Sequence, residues 1–251
     1  MVSVALFKAA LALGVARSLA APTSSSSSSF GKVITSCTQP DMLALTFDDG
    51  PSSLTPSLLQ KLNENNIKAT FFMNGRNGQS GVVGGGVDAT ALLPQMLQNG
   101  HQIASHTMTH EYIDQLPEDQ IRQQMVDLDN EIIKIIGKAP TFMRPPFYAS
   151  GPKVLDVMTN MQYYVITSDI DTNDWKFATP ETSGQALENL KQGLNNKGSI
   201  ILMHDIHETT VNKLVPDAIP LLKNSGKKLV TVGECLGIPQ EQWYREKSVT
   251  G

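Results

Sequence analysis

Between residues 42 and 232 the chain alternates short apolar runs with longer amphipathic stretches. The short runs cover residues 42–47, 69–73, 101–105, 141–144, 163–168, 199–204 and 228–232. Such lengths, bounded by turn-forming residues, suit buried strands better than helices. The intervening stretches, residues 55–65, 89–99, 117–136, 152–160, 179–195 and 211–224, carry the wider apolar spacing of helices. Punctuation agrees with this reading. Gly100 and Gly137 follow helix ends, and Pro117 with Glu118 and Asp119 makes a suitable first turn. Repeated strand–helix alternation predicts a parallel sheet, and about seven strands favour closure into a (β/α) barrel. An open doubly wound sheet is the alternative.

Composition narrows the class. A length of 251 residues allows a full hydrophobic core, and a net charge of −4 with both signs scattered argues against a nucleic-acid partner. Lys8 precedes the apolar residues 9–16, and Ser18, Leu19 and Ala20 offer small residues for cleavage, so residues 1–20 read as an export signal. The apolar part is too short for a membrane span. Residues 21–36, with six serines from Ser24 to Ser29, read as a spacer without core-forming residues. Residues 37–240 are the folded domain and 241–251 a tail. A secreted protein, extracellular or in the cell wall, is expected, with no membrane span. The two cysteines, Cys37 and Cys235, flank the folded part, and in an exported chain a disulfide between them is expected. Chain entropy gives so long a loop roughly 5 kcal/mol as an upper figure. Two separate buried thiols are the alternative.

The chemistry gathers at the carboxyl ends of the predicted strands, where barrels carry their active sites. The first strand ends in TFDDGP, residues 46–51, with Asp48 and Asp49 adjacent. An extended chain would send these two carboxylates to opposite sides, which suits one cation ligand and one proton acceptor. A solvated Asx turn would be the plainer reading of an isolated Asp-Asp-Gly. Other strand ends argue otherwise: His106 and His110, Arg144 to Phe147, Asp171 to Trp175, and Leu202 to Asp205. His106 and His110 are four apart, so a helical or tight turn points both rings one way. With one carboxylate they make a three-ligand catalytic metal site. His101 reads as a packed core residue, and His207 fits either the rim or solvent. Neither GxGxxG nor GxxxxGK[ST] follows a strand, so nucleotide binding is disfavoured.

Five motifs in this order resemble those of the polysaccharide deacetylases, carbohydrate esterase family four, and especially the secreted fungal chitin deacetylases. They are TFDDGP at 46–51, HxxxH at 106–110, RPPF at 144–147, DxxDW at 171–175 and LxH at 202–204. The similarity spans roughly residues 37–236. Phe147 stands where tyrosine is commonest in the family, followed directly by Tyr148.

The resemblance implies a distorted barrel and metal-dependent N-deacetylation of chitin or its oligosaccharides, yielding chitosan and acetate. It assigns Asp49, His106 and His110 to one divalent ion, zinc first and cobalt also admissible. Asp48 becomes the base and His204 the leaving-group acid. Arg144 tethers Asp48, and Asp174 hydrogen-bonds His204. The Phe147 N–H faces the oxyanion, Trp175 and Leu202 wall the acetyl pocket, and Tyr148 offers a ring to the sugar. A glycine-rich loop at residues 75–87 would border the groove, and a monomer is expected. Competing readings are an acetylxylan esterase or peptidoglycan deacetylase of the same family, a non-heme iron oxygenase, and a catalytically silent chitin-binding module. Retention of Asp48 and His204 argues against the last two.

Overall fold

The computed structural model of this chain describes residue 1 and residues 29–249. The remainder of the expected signal segment, most of the spacer and the last two residues lie outside the described residues.

Among the described residues the strands are β1 (Val33–Ile34), β2 (Met42–Asp48), β3 (Thr70–Met73), β4 (Gln102–Ser105), β5 (Ala139–Pro140), β6 (Phe142–Met143), β7 (Tyr164–Ile166), β8 (Ile170–Asp171), β9 (Ile200–His204), β10 (Lys228–Val230) and β11 (Tyr244–Arg245). The helices are α1 (Thr55–Glu64), α2 (Ala89–Gln98), α3 (Glu118–Ile136), α4 (Pro152–Asn160), α5 (Gly184–Asn195), α6 (Val215–Lys223) and α7 (Val232–Cys235). Every predicted strand and helix has a counterpart. Two helix starts differ. Thr179 to Ser183 form a turn before α5, closed by the Ser183 N–H on the Thr179 carbonyl. The predicted helix 211–224 begins as a π-helical turn, Thr210–Leu214, before α6. Pro216 and Pro220 supply no N–H to a regular ladder there.

The main sheet is parallel, ordered β1-β7-β6-β4-β3-β2-β9-β8, with β10 also paired to β2. Its outermost strands, β1 and β8, do not pair with each other, so the sheet curls as a distorted, incompletely closed (β/α) barrel of one domain. Both faces are apolar, as parallel sheets with flanking helices require. Leu43, Leu45, Phe47, Phe71, Ile201 and Met203 pack outward with the helices around them. Ala44, Phe72, Ala104, Phe142 and Ile200 form an inner cluster with Val232, Cys235 and Trp243. Polar side chains therefore collect at one end of the inner face.

Both ends of the described chain join this frame. Val33–Ile34, within the stretch read as spacer, runs parallel to β7, and Tyr244–Arg245, within the stretch read as tail, pairs antiparallel with β5. Cys37 and Cys235 are bonded, with Cα atoms 5.0 Å apart. No helix among the described residues is long and apolar enough to cross a membrane.

Candidate active site

Alternate residues of a strand share a face, so Asp48 follows Ala44 and Thr46 on the inner side of β2, and His204 follows Ile200 and Leu202 in β9. Their register sets Thr46 opposite Leu202 and Asp48 opposite His204. Asp49 leaves the strand in the left-handed region, with φ 77°, a conformation uncommon outside glycine. That turn corrects the expectation that the two carboxylates diverge. Both approach His106 Nε2, Asp48 Oδ2 at 3.8 Å and Asp49 Oδ1 at 3.5 Å. Residues 106–110 form a tight turn with positive φ at Thr107 and His110, which brings His110 Nε2 to 3.1 Å from Asp49 Oδ1.

The chemistry of these three groups fits a divalent cation. One donor atom from each of Asp49, His106 and His110 can be chosen so that all lie within 4.8 Å of one another. His106 Nδ1 lies 2.7 Å from the Arg144 carbonyl, which can only accept, so the proton sits on Nδ1. Burial holds His106 below its ordinary pKa despite the nearby carboxylates, which favours the neutral ring. Its Nε2 then presents a lone pair towards the buried Asp49 Oδ1, 3.5 Å away. Burial would raise the Asp49 carboxyl, but the His110 hydrogen bond and the surrounding imidazoles hold it well below its usual range. Acceptors converging on one point are the signature of a cation site.

On the other side of Asp48 lies Arg144, completely buried. Its Nη1 donates to Asp48 Oδ1 at 2.7 Å and to Thr46 Oγ1 at 2.8 Å, and its Nη2 donates to the Thr167 carbonyl at 2.9 Å. Asp174 Oδ1 accepts from His204 Nδ1 at 2.8 Å, and Oδ2 accepts from the His204 N–H and Thr210 Oγ1, both at 2.7 Å. Burial disfavours the imidazolium, yet the Asp174 charge and hydrogen bond prevail, and His204 is pushed up to about 9. Asp174 is itself lowered, burial being outweighed by His204 and its other donors.

Asp48, Asp49, His106, His110 and His204 open into a cavity of about 470 Å³, walled by Pro145, Phe147, Tyr148, Asp171, Trp175 and Leu202. The sequence profile of the polysaccharide deacetylase family matches residues 35–166. The chain belongs to that family. It is 41% identical over 237 residues to a chitin deacetylase of Pestalotiopsis sp, covering 94% of this chain and 78% of that protein. It is 42% identical over 221 residues to a probable peptidoglycan-N-acetylglucosamine deacetylase of Arthroderma benhamiae, covering 88% of this chain but 49% of the relative. The solved chitin deacetylase of Colletotrichum lindemuthianum superposes with a TM-score of 0.83 at 35% identity, covering 88% of this chain and 98% of that one.

Every site residue expected of this polysaccharide deacetylase lies at the one cavity or against a residue that does, apart from the two cysteines. Tyr148 is turned partly inward, its hydroxyl 2.6 Å from Ser168 Oγ. His207 sits 5.9 Å from the His204 ring, and His101 is buried against Phe71 as expected. Several supports escaped the sequence reading. Asn74, at the end of β3, donates to the His106 and Thr107 carbonyls, while its own N–H reaches the Gly50 carbonyl. Ser80 Oγ donates to the Asp49 carbonyl at 2.8 Å, tying in the glycine-rich loop. Asp205 is buried against the Gly50 backbone, accepts from Thr55 Oγ1, and is pushed up to about 7 by that burial. Asn74 carried a signal: a polar residue closing an apolar strand run. The Ser80 and Asp205 contacts cross the fold and carried none.

Proposed function

We propose that this deacetylase hydrolyses the N-acetyl groups of glucosamine units in chitin or chitin oligosaccharides outside the cell, releasing acetate and leaving free amines. The observation carrying this reading is the pairing of Asp48 with His204 across adjacent strands beside the Asp49–His106–His110 cluster. That arrangement sets a proton acceptor and a proton donor around one cavity. A divalent ion held by the three ligands, zinc first and cobalt also admissible, polarises a carbonyl and acidifies water when bound.

The remaining work falls to side chains. Asp48, held by Arg144, takes the proton of the attacking water. His204, kept protonated by Asp174, gives a proton to the departing amine, which is otherwise a poor leaving group. The Phe147 backbone N–H supports the oxyanion, and each positioned acid or base contributes about 10²–10⁴ in rate. Leu202 and Trp175 enclose the acetyl group, and Tyr148 lines the cavity beside the sugar. The Cys37–Cys235 bond suits the oxidising surroundings of an exported, monomeric enzyme.

Peptidoglycan is the second substrate worth testing, because one similar relative is named for it. Acetate release should be measured on chitin hexasaccharide, peptidoglycan and acetylated xylan, before and after chelation and after zinc is restored. Chitin-selective release that chelation abolishes and zinc recovers is expected. Full activity after exhaustive chelation would remove the metal, and preference for either other polymer would replace chitin.

A further inference from the structure

The large apolar side chains left exposed among the described residues are Met1, Val33, Tyr112, Phe147 and Trp175. All three aromatic ones stand around or beside the cavity, 45%, 64% and 53% exposed respectively. Phe147 and Trp175 line it directly, whereas Tyr112 lies outside its lining and played no part in the sequence reading. Successive ring contacts connect the ligand cluster to Tyr112. The Phe147 ring is 4.8 Å from that of His110, and the Tyr112 ring is a further 5.9 Å from Phe147. Each step is comparable with the length of one pyranose unit.

This ridge is held rigidly. Phe147 and Tyr148 both occupy the left-handed region, φ 57° and 56°, which is strained for bulky residues and persists where surroundings enforce it. Tyr112 immediately precedes a short 3₁₀ turn, Ile113–Gln115, whose Ile113 is completely buried in the core. An anchored backbone thus carries a ring turned to solvent. Exposed apolar surface of this kind, continuous with a catalytic cavity, marks a binding surface.

We propose that Tyr112 and Phe147 form a stacking platform for the sugar face of the glycan chain beyond the reacting unit, with Tyr112 meeting the second sugar out on that side. This makes Tyr112 a determinant of substrate length, and it rests on the glycan reading given above. Sugar faces present C–H groups, which pack on aromatic rings, while their hydroxyls remain in water.

The test uses Asp48→Asn protein, so that bound oligosaccharide is not consumed, and measures affinities for chitin disaccharide and hexasaccharide by calorimetry. A disaccharide occupying the reacting position cannot reach Tyr112, whereas a hexasaccharide can. Adding Tyr112→Ala should lower hexasaccharide affinity about tenfold and collapse the hexasaccharide-to-disaccharide affinity ratio, while Tyr112→Phe should retain both. An unchanged ratio, or an equal loss for both ligands, would overturn the proposal. Binding of the hexasaccharide without acetate release by the parent protein would refute the catalytic reading and leave the platform standing. Absence of hexasaccharide binding to the parent refutes both.

Discussion

Replacing Asp174 by asparagine removes a charge from behind His204 while nearly preserving shape, and its effect can be worked out from the site. Burial opposes the imidazolium, and Asp174 overcomes it to push His204 up to about 9. At pH 8 about 90% of His204 is then protonated, against about 3% at the ordinary value of 6.5, a loss of roughly thirtyfold in usable acid. Without Asp174, burial still lowers His204 while Asp48 and Asp49 still raise it, so the loss is worked from the ordinary value. The folded protein also pays something. Asp174 accepts from the His204 ring, the His204 N–H, the Trp175 N–H and Thr210, and an amide keeps acceptors on only one side. A stability loss of about 1–3 kcal/mol is expected. The assay is kcat against pH on chitin hexasaccharide and on 4-nitrophenyl acetate, with the melting temperature as control. The alkaline limb on the amide should move from near 9 towards the ordinary value of 6.5, because His204 loses the charge that keeps it protonated. The activated ester, whose leaving group needs no proton, should show no such displacement. An alkaline limb that stays near 9 in a folded Asp174→Asn protein would refute the assignment of His204 as acid.

Three further outcomes are expected. Arg144→Ala leaves the buried Asp48 without its cationic partner, and should cost about 3–5 kcal/mol, read from the urea midpoint; a cost below about 1 kcal/mol would contradict the structure. Cys37→Ser with Cys235→Ser removes the cross-link over a sequence separation of 198 and should cost up to about 5 kcal/mol, with added reductant having no further effect on the variant. Asp48→Asn should keep its metal, measured by elemental analysis, and lose turnover by orders of magnitude, whereas Asp49→Asn should lose metal affinity and recover part of its rate in excess zinc. The reverse pattern would exchange the two roles.

Much of the frame was legible because each of the longer strands is a short apolar run and each longer helix a wider apolar pattern, with glycine at several joints. The site was legible because its side chains sit at strand ends within short motifs. What escaped depends on contacts between distant segments. Strands of two residues, such as Ile170–Asp171, have no periodicity to detect. The incomplete closure follows from which strands pair, which no local pattern encodes. The convergence of Asp48 and Asp49 was missed because alternation assumes an extended chain, and Asp49 has left it. Tyr112 was invisible for a different reason: a lone tyrosine before a turn has no distinguishing neighbours until Phe147 is folded beside it.

Arg144 has a property that follows from using both of its ends. Its peptide carbonyl orients His106, while its guanidinium orients Asp48. The candidate metal ligand and the candidate base are therefore surveyed from one datum point. A displacement of that residue would therefore disturb the orientation of both groups at once. Transplanting the site onto another scaffold would accordingly require moving this backbone segment intact, since side chains copied one by one would lose the shared reference.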